Sequence, residues 1–224
     1  MSVRLQVVET PEDAARAAAE ELVEAARAGG HIALSGGSTP KRAYELAAEL
    51  QPDWSAATVW WGDERCVAPD DARSNYRLAR EALLDRLTGT PAIRRVEVER
   101  GCEEAADLYD RWLHGVSLDL ALLGLGADGH TASLFPESPA LGELGRRVVA
   151  GLPGLPPYVD RVTLTIAALR DASRIVYLVT GSEKADGAAR AFAGPPDPQT
   201  PASLVRSDRG ETIAILDRAA AASL

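Results

Sequence analysis

Ile32-Ala33-Leu34-Ser35, then Gly36-Gly37-Ser38-Thr39-Pro40, then Lys41 to Leu50 reads as a strand, a glycine turn and a helix. The first apolar run is short and closed by two glycines, whereas the apolar residues after Pro40 recur at helical spacing. The same rhythm extends in both directions. Upstream, Val3 to Val8 precedes a helix over Pro11 to Arg27, whose Thr10-Pro11-Glu12-Asp13 opening carries helix-start residues. Downstream come a strand at Thr58 to Trp61, helices near Tyr76 to Arg86 and Glu103 to Leu113, and an apolar strand from Leu118 to Leu123. Strands at Val162 to Ile166, Ile175 to Thr180 and Thr212 to Leu216 follow, with a helix from Glu183 to Phe192 between the last two. The Pro/Gly-rich stretches Gly151 to Pro157 and Gly194 to Pro201 read as surface loops, so 1–224 is expected to form one domain. Near-continuous apolar strands alternating with helices predict an α/β fold, a doubly wound, mostly parallel sheet with helices on both faces.

Composition narrows the function classes. The chain has 224 residues, 46% hydrophobic and 25% charged, within the ordinary globular range. No apolar run approaches the ~20 residues of a membrane-spanning helix. The start Met1-Ser2-Val3-Arg4 lacks a basic-then-apolar export signal, so a cytoplasmic protein is expected. With 24 basic against 33 acidic residues, net charge is −9, and general attraction to nucleic acid or an anionic membrane is not expected. An anionic ligand would need local capture. The two cysteines, Cys66 and Cys102, show neither C-x-x-C nor zinc spacing and read as reduced structural thiols.

In doubly wound sheets, ligands sit beyond the carboxyl ends of the strands, so chemistry is expected in four polar loops facing one crevice. The first is Ser35 to Pro40. Gly36 and Gly37 let the backbone turn its N–H groups outward, the following helix start favours a phosphate, and Ser38 and Thr39 add hydroxyls. A plain capped turn would look similar. The second, Trp60-Trp61-Gly62-Asp63-Glu64-Arg65, ends a strand in two carboxylates and a guanidinium able to bind phosphate, carboxylate or an oxyanion. Asn75, in Ser74-Asn75-Tyr76, is a weaker ligand candidate beside a helix cap.

The third loop, Gly124-Leu125-Gly126-Ala127-Asp128-Gly129-His130-Thr131-Ala132-Ser133-Leu134-Phe135-Pro136, sets a carboxylate two residues before a histidine in a glycine-rich turn. Histidine suits general acid–base work near neutral pH. A metal reading would need a third ligand, and no H-x-x-x-H or Cys/His pair supplies one; a serine nucleophile would need a G-x-S-x-G elbow, which is absent. Water is therefore the expected nucleophile, with no cofactor. His31 and His114 lack such surroundings and read as structural or surface residues. The fourth loop, Gly181-Ser182-Glu183-Lys184, places one of only two lysines in a first helical turn, where a cation is unfavourable without an anion beside it. Arg161, opening the Val162 strand, is a further candidate.

Taken in order, these blocks, with Arg161-Val162-Thr163-Leu164-Thr165, resemble the 6-phosphogluconolactonases of the pentose phosphate pathway across nearly the whole chain. The resemblance implies a fold shared with sugar-phosphate isomerases and glucosamine-6-phosphate deaminases, and metal-free hydrolysis of 6-phosphoglucono-1,5-lactone. The deaminase pattern has Asp-Glu-Tyr at the second loop and Asn-Glu-Pro after the histidine, where this chain reads Asp63-Glu64-Arg65 and Leu134-Phe135-Pro136. On this resemblance His130 is the base for water, with Asp128 or Asp63 holding its ring. Arg65 and N–H groups of the Gly124 to Gly129 turn would meet the oxyanion. Gly36, Gly37, Ser38, Thr39, Asn75, Arg161 and Lys184 would bind substrate. A sugar-phosphate sensor would need the glycine loop but neither His130 nor Asp128, and oligomeric state is not legible.

Overall fold

The computed structural model describes residues 2–154 and 158–224, so residues 155–157 of the expected Gly151 to Pro157 loop lie outside it. The strands are β1 (Val3–Val8), β2 (His31–Leu34), β3 (Thr58–Trp61), β4 (Asp63–Arg65), β5 (Ala92–Ile93), β6 (Leu120–Leu123), β7 (Val148–Gly151), β8 (Arg161–Leu164), β9 (Arg174–Val179) and β10 (Glu211–Asp217). The helices are α1 (Pro11–Arg27), α2 (Ser38–Leu50), α3 (Asn75–Ala82), α4 (Cys102–Leu113), α5 (Ile166–Arg170) and α6 (Ala185–Phe192). Among the described residues, seven strands form a parallel sheet in the order β1-β10-β9-β6-β2-β3-β5.

Period-two alternation distributes the sheet's side chains between two cores. Leu34, Val59, Trp61, Leu122, Val176 and Ile215 pack with α1, α2 and α3 on one face. Ala33, Trp60, Leu123, Tyr177 and Leu216 pack with α4, α5 and α6 on the other. The adjacent tryptophans thus serve opposite layers, and both are buried. Helix α1 starts with a capping box in which the Thr10 side chain takes the Asp13 N–H and the Asp13 carboxylate takes the Thr10 N–H.

The structure corrects the sequence reading in three places. Val162 to Ile166 is not a strand of the parallel sheet: β8 lies between β4 and β7 in a separate antiparallel sheet, and Thr165 caps α5 instead. Two bonds join the sheets, Gly62 N–H donating to Leu34 O and Leu164 N–H donating to Gly62 O. The helix near Tyr76 to Arg86 ends at Ala82, and a 3-10 turn covers Leu84–Arg86. Cys66 and Cys102 form a disulfide rather than standing as free thiols, because β4 ends beside the start of α4 with the Cα atoms 5.9 Å apart.

Candidate active site

Three loops, at the carboxyl ends of β2, β6 and β9, together with strands β4 and β8 of the second sheet, line a cavity of about 270 Å³. Gly36, Gly37, Ser38 and Thr39 line one part; Asp63, Arg65, His130, Arg161, Glu183 and Lys184 are among the residues lining the rest. This is the placement expected where parallel strands run out into loops.

On the glycine wall, Gly37 has φ +99° and precedes α2 without any side-chain cap, leaving the start of this helix open to an anion. Gly36 packs against the Asn75 amide so closely that a Cβ there would collide with Asn75 Oδ1. Asn75 is 1% exposed and does not line the cavity; its Nδ2 donates to Asp63 O at 2.9 Å and Asp63 Oδ1 at 3.0 Å. It therefore lies beneath the site, not at the ligand surface as the sequence suggested.

His130 and Asp128 form a hydrogen-bonded pair in this cavity. Nδ1 of His130 lies 2.5 Å from Oδ1 of Asp128, and the His130 N–H donates to the same oxygen at 3.2 Å. Gly126 makes this possible, since a Cβ there would run into both His130 Nδ1 and Asp128 Oδ1. Burial pushes the Asp128 carboxyl up, but the bond to His130 and its charge outweigh that, leaving it below the ordinary carboxylate range. The Phe135 ring packs on His130 with centroids 4.6 Å apart, and Arg161 stacks over the same ring at 5.7 Å.

Asp63 takes a different part. Its Oδ2 accepts from Ser133 Oγ at 2.6 Å while its Oδ1 accepts from Asn75, so the carboxylate ties β4 to the His130 loop rather than orienting the imidazole. The turn's own N–H groups are also partly committed, Gly126 to His130 O and Gly129 to Gly126 O, which removes both from the oxyanion donors expected there. Glu64 is buried and accepts from the N–H groups of Arg65, Asn75 and Tyr76 and from Ser74 Oγ, fixing β4 to the start of α3. Burial pushes its carboxyl up more than those N–H groups pull it down.

Three cations, Arg65, Arg161 and Lys184, line the cavity. Arg65 and Arg161 are register partners across β4 and β8, which sets like charges side by side. Desolvation, reinforced by the Arg65 charge, pushes the Arg161 guanidinium down. Arg65 lines the cavity while its Nη1 donates to Arg73 O. Arg174, Arg147 and Arg42 by contrast sit against carboxylates. Two like charges held together, with Lys184 lining the same cavity, suit an anionic ligand.

Sequence reasoning missed Tyr44, Ser133, Thr163 and the stacking role of Phe135. Thr163 Oγ1 accepts from the Ser133 N–H across 30 positions, a relation no short window displays. Among the described residues no three His, Cys, Asp or Glu side chains gather as a metal-binding group, and no helix is long and apolar enough to cross a membrane.

The doubly wound sheet, with a glycine-lined cavity and a histidine–aspartate pair at its carboxyl edge, is that of an α/β enzyme, and comparison with known proteins gives its family. Residues 9–214 match the family model described as glucosamine-6-phosphate isomerases/6-phosphogluconolactonase, and the chain belongs to that family. Lactonases are among its relatives. The 6-phosphogluconolactonase of Synechocystis sp. is 39% identical over 211 residues, covering 89% of this chain and 87% of that protein. The solved 6-phosphogluconolactonase of Trypanosoma cruzi superposes with a TM-score of 0.88 at 33% identity, covering 100% of this chain and 98% of that one. A monomeric glucosamine-6-phosphate deaminase, at 19% identity and a TM-score of 0.81, shares the fold.

Proposed function

We propose that residues 1–224 act as one lactonase domain that hydrolyses 6-phospho-D-glucono-1,5-lactone to 6-phospho-D-gluconate, in the oxidative pentose phosphate pathway. The observation that carries this is the placement of the Asp128–His130 pair in the same cavity as the open start of α2, Arg65, Arg161 and Lys184. The lactonase relatives support the reading.

In this mechanism Asp128 keeps the proton of the imidazole on Nδ1, which leaves the lone pair on Nε2 to act as base. Nε2 takes a proton from water as the water oxygen attacks the lactone carbonyl. Arg65 then stabilises the tetrahedral oxyanion, a contribution worth about 3 kcal/mol for one well-placed donor. As the ring C–O bond breaks, the imidazolium returns its proton to the departing hydroxyl oxygen, and the carboxylic acid product ionises. Gly36, Gly37, Ser38 and Thr39 hold the phosphate with Lys184, and Arg161 supports the sugar-acid end. The reaction needs no metal or cofactor in this scheme. The cytoplasm is the compartment we assign, on the class of substrate.

The test is a pH-stat assay on freshly generated 6-phosphogluconolactone beside unphosphorylated gluconolactone. The phosphorylated substrate is expected to turn over far faster, and Lys184→Glu to raise its KM sharply. Equal rates on both lactones would overturn the phosphate assignment.

A further inference from the structure

The glycine wall is held in place from behind. Ser35, where β2 ends and the loop begins, has its N–H accepted by Tyr44 Oη at 2.9 Å, and the same hydroxyl donates to Ser35 O at 2.6 Å. One phenol thus takes both main-chain groups of one residue at the point where the sheet ladder stops. Tyr44 is fully buried, and it stands on α2, the helix whose open start forms the other end of the loop. The chain from Ser35 through Gly36 and Gly37 into α2 is therefore closed into a ring by the Tyr44 side chain. The hydroxyl of Ser35 is buried without a partner, so the Tyr44 contact is what anchors this residue's polar groups.

We infer that Tyr44 is a positioning residue for the phosphate end of the site: its hydroxyl pre-sets the Ser35 to Thr39 loop in the anion-receiving shape. This rests on the phosphate assignment above. Gly37, at φ +99°, has conformational freedom that a side chain would have restricted, so the loop needs an external hold to keep its N–H groups aimed at the ligand. Removing the Tyr44 hydroxyl leaves one buried donor and one buried acceptor unpaired, and the loop would shift to satisfy them. Ligand binding would then have to restore the shape, which weakens affinity.

A matched comparison exists in the same fold. Tyr109, fully buried on α4, accepts from the Trp61 N–H at 2.7 Å and donates to Trp61 O at 3.2 Å, the same arrangement at the end of the neighbouring strand but away from the glycine loop. Tyr44→Phe and Tyr109→Phe therefore remove equivalent contacts and should lower Tm similarly. The affinity for inorganic phosphate as a competitive inhibitor should fall about tenfold in Tyr44→Phe alone. Its preference for phosphorylated over unphosphorylated lactone should fall by the same factor, with kcat on the phosphorylated lactone little changed. Equal effects of the two variants on phosphate affinity, or none from Tyr44→Phe, would overturn the inference and leave Tyr44 a stability residue. A wild type that neither binds phosphate nor prefers the phosphorylated lactone would instead overturn the phosphate assignment, and this inference with it. Amide exchange in the unliganded wild type tests the same point without a variant: Ser35 N–H should exchange slowly, and fast exchange would show that the loop is not held in advance.

Discussion

Asp128 Oδ1 accepts two contacts from one residue, the ring nitrogen of His130 at 2.5 Å and the His130 main-chain N–H at 3.2 Å, and so fixes the imidazole through both its ring and its backbone. The carboxylate is held ionised by that partner, below its ordinary range. Two consequences for catalysis are measurable.

His130→Asn should lower kcat by roughly 100-fold or more while affinity for 6-phosphogluconate is kept, because asparagine preserves a polar side chain but cannot accept the proton. Asp128→Asn should lower kcat by a smaller factor, since the ring loses its tautomer control but retains a base. Paired measurement of kcat, product Kd and Tm checks both. A rise in KM at constant kcat would make His130 a binding residue.

Gly126→Ala should misplace the His130 ring, since the added Cβ meets its Nδ1 and the Asp128 carboxylate. A displacement on the order of 1 Å at a catalytic group can cost about 100-fold. The variant is expected to lose kcat between about 10- and 100-fold while product affinity, set on the opposite wall, is retained. Unchanged turnover in a folded variant would remove the His130 geometry from the mechanism.

Glu64 should give stability a pH dependence of its own. Its folded pKa lies above the ordinary 4.5, so the folded state binds the proton more tightly than the unfolded chain does. Its contribution is fully present below pH 4.5 and declines as pH rises through the folded value. Urea unfolding of wild type and Glu64→Gln across that window should show the difference in stability changing with pH. Glutamine is the neutral counterpart of the protonated carboxyl, so Glu64→Gln should be indifferent to pH in this window and should gain in stability relative to wild type as pH rises. A difference independent of pH would mean that Glu64 does not titrate in this window.

Activity should survive exhaustive treatment with a chelator. The ring nitrogen that a metal would need on the Asp128 side is occupied by that carboxylate, and no third ligand gathers there among the described residues. Loss of turnover with EDTA, restored by one defined metal, would require a different mechanism.

The strand–loop–helix order, the parallel sheet and three of the four expected loops at its carboxyl edge were legible because each is written within a short window, an apolar run, then glycine or hydroxyl residues, then helical spacing; the fourth, Asp63 to Arg65, is strand β4. The Asp128 to His130 turn stood out for the same reason, a carboxylate and an imidazole two residues apart, but spacing did not say whether that carboxylate met the ring. The sequence alone left open which carboxylate serves the histidine, and tertiary structure decided it. Asp63 is drawn to Ser133, 70 positions away, and to Asn75, so only Asp128 is left at the ring. Likewise β4 is three residues long and its partner β8 lies some hundred residues on, too short and too distant for periodicity to announce a second sheet. The Cys66–Cys102 bond and the Tyr44 clamp follow from where packing brings β4, α4, β2 and α2, and their spacing in the chain carries no mark of it. Local pattern determines which elements form, because propensity and burial act residue by residue; which side chains meet across elements is settled only when the two hydrophobic faces of the sheet are covered and the loops are held against one another.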